Sequence, residues 1–178
     1  MTEAELVRGC IEEKRSFQEA LFNRYAPKML SVCRRYARHE LEAEDLLQDA
    51  FVRIFDKLGT FRGDGSLEGW IRRIVVHISI RNYRKSSFKN EQFGYDHLPE
   101  EPIEEEALSR LNAEELLKMI SELPDGYRMV FNMFAIEGYS HAEIAEMIGC
   151  GESTSRSQLA KARKMLQLMV VEMEIVKL

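Results

Sequence analysis

Cysteine is scarce in this chain and scattered. Cys10, Cys33 and Cys150 are odd in number, far apart and in no C-x-x-C pair, which argues against a disulfide framework and against a cysteine-held zinc. Free thiols suit a reducing compartment. No apolar run approaches the roughly 18 residues needed to span a bilayer. The opening MTEAELVRGC lacks the basic-then-apolar order of a secretion signal, so no membrane insertion and a cytoplasmic location are expected. His39, His77, His97 and His141 stand alone, without a spacing such as H-E-x-x-H. There is no glycine-rich phosphate loop, and the many carboxylates fall in solvated runs. The chain therefore reads as a non-enzyme that needs no cofactor and no metal. Strand-like alternation and internal repeats are absent as well, which leaves an all-α fold.

What is present is a chain of 178 residues, 45% hydrophobic and 31% charged, enough for one or two domains with a real core. The net charge of −5 argues at first against a polyanionic partner, but its distribution reverses that. Residues 62–93 carry a net +4, residues 94–125 a net −8, and residues 152–166 a net +3. Screening limits a partner to the local patch, within about 10 Å. Two basic islands flank an acidic stretch.

The first residues suggest a short helix through Leu6, Val7, Cys10 and Ile11. Ser16 and Glu19 have the spacing of a capping box, with Phe17, Ala20, Leu21 and Tyr25 following at helical intervals. Pro27 is expected to open a new helix whose inward face is Met29, Leu30, Cys33, Tyr36 and Ala37. From about Glu42 to Leu58 runs a regular stripe of Leu47, Ala50, Phe51, Ile54, Phe55 and Leu58, with Gly59 as its stop. Its other face starts with Glu42, Glu44, Asp45, Gln48 and Asp49. Acids in a first turn complement the helix dipole, which accounts for the first three and less well for Gln48 and Asp49.

Residues 60–66 read as a loop, with Ser66 capping a helix whose core face is Leu67, Trp70, Ile71, Ile74, Val75 and Ile78. Arg72, Arg73, His77, Arg81, Asn82, Arg84 and Lys85 lie on or near its opposite side. Cations interleaved with Phe61, Trp70 and Tyr83 suit a single nucleic-acid strand, whose bases stack on rings and guanidinium planes. Trp70 is equally at home as a core residue. Residues 86–106 lack periodicity and mark a flexible acidic linker. A second domain begins near Ala107, with one helix stopped at Pro124 and another from Tyr127 ended by Gly138.

The stretch 140–166 then carries the sharpest local signal. Ser140 and Glu143 form a capping box, Ile144, Met147 and Ile148 an apolar face, and Gly149 can take the left-handed turn that ends a helix. A second helix follows with Leu159, Ala162 and Leu166 inward and Arg156, Lys161, Arg163 and Lys164 elsewhere on its surface. This is the arrangement that lays one helix in a DNA major groove. Taken alone it also fits a stand-alone helix-turn-helix regulator with an N-terminal interaction domain, or a partner-binding helical hairpin with a solvated basic face.

The motifs occur in an order that resembles the extracytoplasmic-function (group IV) sigma factors of bacterial RNA polymerase, over roughly residues 12–172. Asp45 to Phe51 is similar to the helix by which such factors dock on the polymerase clamp. Phe61-Arg62-Gly63 through Trp70 to Ile74 resembles the segment that melts and reads the minus-ten element. Leu123 to Ser140 and the following Glu143-Ile144-Ala145 resemble the domain that reads the minus-thirty-five element. The resemblance implies region 2 at 1–90, a linker at 91–106 and region 4 at 107–178. It implies that Asp45, Gln48 and Asp49 bind core RNA polymerase, and that Phe61, Arg62, Trp70, Arg72, Arg73, Arg81, Asn82 and Arg84 serve the minus-ten element of promoter DNA. Arg156, Ser157, Ala160, Lys161 and Lys164 would serve the minus-thirty-five element. An anti-sigma factor is implied as a further partner. Three positions depart from the family's pattern: Gly151 where a capping Ser is usual, Ser155 where an apolar residue is usual, and Ala160 where a larger residue is frequent. The first two are expected to weaken or loosen the second helix, and the third to remove a promoter contact.

Overall fold

A computed structural model describes residues 1–87 and 112–176. Within them all regular structure is helical, as the sequence predicts. The acidic linker at 91–106 lies outside the described residues, as does the start of the second domain near Ala107. The chain divides into two compact units, Met1–Asn82 and Tyr83–Leu178.

The first unit opens with α1, Glu3–Ile11, capped by a reciprocal Thr2–Glu5 box. Its turn into α2, Arg15–Tyr36, differs from expectation. Glu13 takes a left-handed conformation at φ 56°, and the Lys14 amide donates to the Gly9 carbonyl at 3.0 Å. The reversal is complete by Lys14, so the helix starts before Ser16 and no Ser16 capping box forms. Glu19 instead pairs with Arg15 one turn earlier, at 2.9 Å. Gly9 is required by packing: a Cβ there would stand 2.2 Å from the Phe17 ring.

Pro27 does not open a helix. It sits inside α2, which continues through it. An interior proline costs about 3 kcal/mol. Here Tyr25, Met29, Val32, Cys33 and Tyr36 are buried on both sides of it, at about 1.5–3 kcal/mol for a fully buried large side chain. Pro27 itself is exposed.

Next comes α3, Glu40–Lys57, with His39 as its cap: the Glu42 amide donates to His39 Nδ1 at 3.2 Å. Its buried stripe is Ala43, Leu46, Leu47, Ala50, Phe51 and Ile54. Gly59 does not stop the helix in a left-handed turn. The chain passes through Gly59 in a 3-10 turn, Leu58–Thr60. Thr60 Oγ1 donates to the Lys57 carbonyl at 2.7 Å, satisfying one of the helix's last acceptors. The loop that follows turns at Gly63 and Gly65, with φ of 78° and 103°. Ser66 Oγ then accepts the Gly69 amide at 3.1 Å and starts α4, Leu67–Ser87. Leu67, Ile71, Val75 and Ile78 are buried as expected, joined by Val76 and Ile80. Trp70 and Ile74 are only half-buried.

In the second unit, α5, Ala113–Glu122, is opened by an Asn112–Glu115 capping box. Arg128, buried on α6 (Asp125–Phe131), donates to the Leu123 carbonyl at 2.9 Å and to Asp125 at 2.6 Å. The chain runs on through one π turn, Asn132–Ile136, to a reversal at Gly138 with φ 81°. Then come α7, His141–Ile148, and α8, Glu152–Val176. Met119 and Ile120 of α5, with Leu123 just past its end, pack on Ala162, Leu166 and Val170 of α8. The first half of α8 buries Ser155, Leu159 and Ala162 on one side and leaves its other side exposed.

Candidate nucleic-acid and partner interfaces

Three exposed surfaces carry the residues singled out by sequence. The first is the outer face of α3. Asp45, Gln48 and Asp49 are all exposed, at the i, i+3, i+4 spacing that shares one helix face. Asp45 and Asp49 border a cleft of about 270 Å³ lined also by Arg38, His39, Glu42, Leu46 and Asn82. Glu42 is the most engaged group in it. Its carboxylate accepts from the Arg38 amide at 2.7 Å, from Arg38 Nη2 at 3.1 Å and from Asn82 Nδ2 at 3.0 Å. Burial pushes the Glu42 carboxyl up, but the bonds from Arg38 and Asn82 outweigh it and hold the group below its ordinary value of 4.5. Sequence reasoning missed two neighbours on this face. Leu41 is 70% exposed and Val52 72%, large apolar groups in water beside the acids. Their spacing from Asp45 and Gln48 carried the signal.

The second surface runs from the Gly63–Gly65 loop along α4. Phe61 and Trp70 are half-buried and meet at a ring separation of 5.6 Å, tilted 57°, so Trp70 belongs to the rim of the loop rather than to the core. Arg62, Arg73, Arg81 and Arg84 are exposed, and Arg72 is half-buried. Arg73, His77 and Arg81 fall at intervals of four and form one ridge. The sequence places His77 beside these arginines, but it was not among the residues assigned to the minus-ten element. Partial desolvation, and then the Arg73 guanidinium, hold its ring below its ordinary value, so at neutral pH it presents a neutral donor and acceptor. Asn82 stands apart from this set, because its amide is engaged by Glu42.

The third surface is the outward half of α8. The Ser140–Glu143 box forms in both directions, at 2.8 and 3.2 Å. Gly149 ends α7 at φ 76°, in the left-handed region that disfavours any other residue. Gly151 supplies only its carbonyl to the start of α8, accepting the Ser155 amide at 3.0 Å. Arg156, Ser157 and Ala160 are exposed on one face, Lys161 and Lys164 are half-buried, and Arg163 is exposed one turn beyond Ala160. Glu152 pairs with Arg156 and holds it against the helix.

Ser155 does not loosen the packing, contrary to expectation. It is fully buried, and its Oγ lies 2.9 Å from His141 Nδ1. His141 stacks on Phe134 at 4.4 Å, and Arg163 lies 5.9 Å from the centre of the same ring. A polar bridge thus ties α7 to α8 where an apolar contact was expected.

Among the described residues no group of His, Cys, Asp and Glu could hold a metal, and no helix is long and apolar enough to cross a membrane. All three cysteines are free. Burial pushes the Cys33 thiol up to about 12, and raises Cys10 and Cys150 too.

Residues 21–88 match the family described as sigma-70 region 2, and residues 113–166 match sigma-70 region 4. The chain is 34% identical to the RNA polymerase sigma factor YlaC of Bacillus subtilis, over 82% of this chain and 87% of that one. It is 27% identical to the ECF RNA polymerase sigma factor SigM of Mycobacterium tuberculosis, over 93% of this chain and 83% of that one. Its fold is similar to that of the sigma factor RpoE from Bartonella quintana, crystallised with the anti-sigma factor NepR. That likeness has a TM-score of 0.50 and 19% identity, and covers 86% of this chain and 96% of that one. Two sigma-70 regions in the family's order, carried on an all-α fold and shared with named relatives over most of the chain, give the conclusion: this protein belongs to the sigma-70 family, in its extracytoplasmic-function group, and is an RNA polymerase sigma factor.

Proposed function

We infer that the three exposed surfaces divide the work of promoter-specific initiation. Residues 1–90 serve as region 2 and residues 107–178 as region 4, with 91–106 between them. The outer face of α3 docks on core RNA polymerase, with Asp45, Gln48 and Asp49 meeting basic groups and Leu41 and Val52 supplying apolar area. The Phe61–Ser66 loop takes an unstacked base of the minus-ten element, with Trp70 at its rim. Arg62, Arg72, Arg73, Arg81 and Arg84 hold the opened strand. On α8, Arg156 and Ser157 reach base edges of the minus-thirty-five element, with Lys161 and Lys164 nearer its phosphates. The protein acts in the cytoplasm as a non-enzymatic specificity subunit, and an anti-sigma factor holds it off by covering the docking face.

The observation that carries this reading is the exposure of Asp45, Gln48 and Asp49 on one face of α3, in the same chain as two exposed basic ridges. Co-elution and run-off transcription test it. Wild-type protein co-elutes with core polymerase, and Asp45→Lys abolishes the association. Arg156→Ala leaves association intact but lowers discrimination at one minus-thirty-five base pair by about tenfold, the scale of a bidentate arginine–guanine contact. Retained association in Asp45→Lys would remove the assigned role of α3.

A further inference from the structure

Asn82 lies between Arg81 and Arg84 on α4, among residues assigned to the opened strand, yet its amide is committed to Glu42 at 3.0 Å. Glu42 is a junction. Its carboxylate also takes the backbone amide and the guanidinium of Arg38, so one side chain, 14% exposed, joins the turn after α2, the start of α3 and the late turns of α4. It shares a face of α3 with Asp45 and Asp49, at i+3 and i+7. Any slide of α4 along α3 would break a bond that tolerates only a few tenths of an ångström.

We propose that the Glu42–Asn82 hydrogen bond is a positioning contact that fixes the docking face of α3 against the strand-holding ridge of α4, with Asn82 acting through Glu42 rather than on DNA. This rests on the roles assigned above to α3 and α4. Docking on polymerase and presentation of the basic ridge then depend on one rigid part. Loss of the tie leaves both surfaces chemically intact but misaligned while the duplex is being opened. Once the strand is already open, the ridge can adjust to it.

The experiment is run-off transcription with core polymerase on two templates: a fully paired promoter, and the same promoter mismatched through the minus-ten element. Asn82→Ala and Glu42→Ala each bind core within about twofold of wild type and lose about fivefold in transcription on the paired template. Each recovers to within about twofold on the open one, and the double variant is no worse than either single. The swap Glu42→Gln with Asn82→Asp again sets an amide against a carboxylate, and restores activity on paired DNA. An Asn82→Ala defect that persists on the open template, or varies with one base, would show direct contact and overturn the proposal. So would single effects that multiply in the double variant, which would make the two residues independent. If Glu42→Ala fails to fold, the Asn82 variants and the swap decide. Absence of any promoter-specific transcript from wild type would refute the surface assignments instead. The tie itself would then stand or fall on whether the same variants show coupled or additive effects in thermal unfolding.

Discussion

A hydroxyl buried between two helices must find a partner, and Ser155 finds His141. Leaving it unpaired would cost about 1–3 kcal/mol, so the pair is best regarded as one unit that closes the helix-turn-helix. Gly151, four residues earlier, is the opposite case. A Cβ there would meet Thr154 Oγ1 and Ser153 Oγ at 3.6 and 3.8 Å, ordinary contact distances, and its φ is not positive. Gly151→Ser therefore adds a capping oxygen without strain. Thermal unfolding should show a gain of a few tenths of a kcal/mol, the usual difference between Gly and Ser at such a cap, and a loss would mean the site cannot place the hydroxyl. The same two residues show what local pattern conveys. The Gly149 turn and the Ser140–Glu143 box lie within a few residues of each other and were legible. The partner of Ser155 lies 14 residues away, on the far side of that turn, so composition could only mark Ser155 as a departure.

Within elements, propensity yields to packing. Pro27 and Gly59 each carry a strong breaking signal, yet α2 runs through one and a 3-10 turn through the other. In both places buried residues on either side hold the course, which no window of sequence reveals. The apolar stripes of α3 and α4 were legible because they repeat. What was not legible was which polar residue of α4 turns toward α3, since that depends on their contact. Glu42, where they meet, gives α3 a pH dependence of definite sign. Its folded value lies below 4.5, so its stabilisation is complete above that pH and is lost as pH falls through the folded value. Glu42→Gln is expected to be less stable than wild type at pH 7, with the gap closing in acid. Denaturant unfolding across that range measures it, and a gap that widens in acid would reverse the sign.

At the scale of the molecule, charge is sorted rather than balanced. The net −5 of the whole chain conceals an acidic helix face and two basic ridges, and only their order along the sequence made the family recognisable. The charged surfaces were legible because exposed charge recurs there at helical spacing. Leu41 and Val52 carried only their four-residue spacing from Asp45 and Gln48 as a signal, and an apolar residue otherwise reads as core until its surroundings are known.

The same molecule also carries its own probes of opening. Cys10 and Cys33 are buried in the first unit, and Cys150 is half-buried in the turn of the second. With its thiol raised to about 12, Cys33 forms almost no thiolate at neutral pH, and a thiolate is what alkylating reagents attack. Its modification must wait for the first unit to unfold, whereas Cys150 needs only a local breath of the turn. Timed alkylation read by mass should therefore label Cys150 first and Cys10 and Cys33 much later. Bound core polymerase should slow the late phase, since a ligand of the folded form lowers the open population. Equal rates at all three sites would mean that the two units open together.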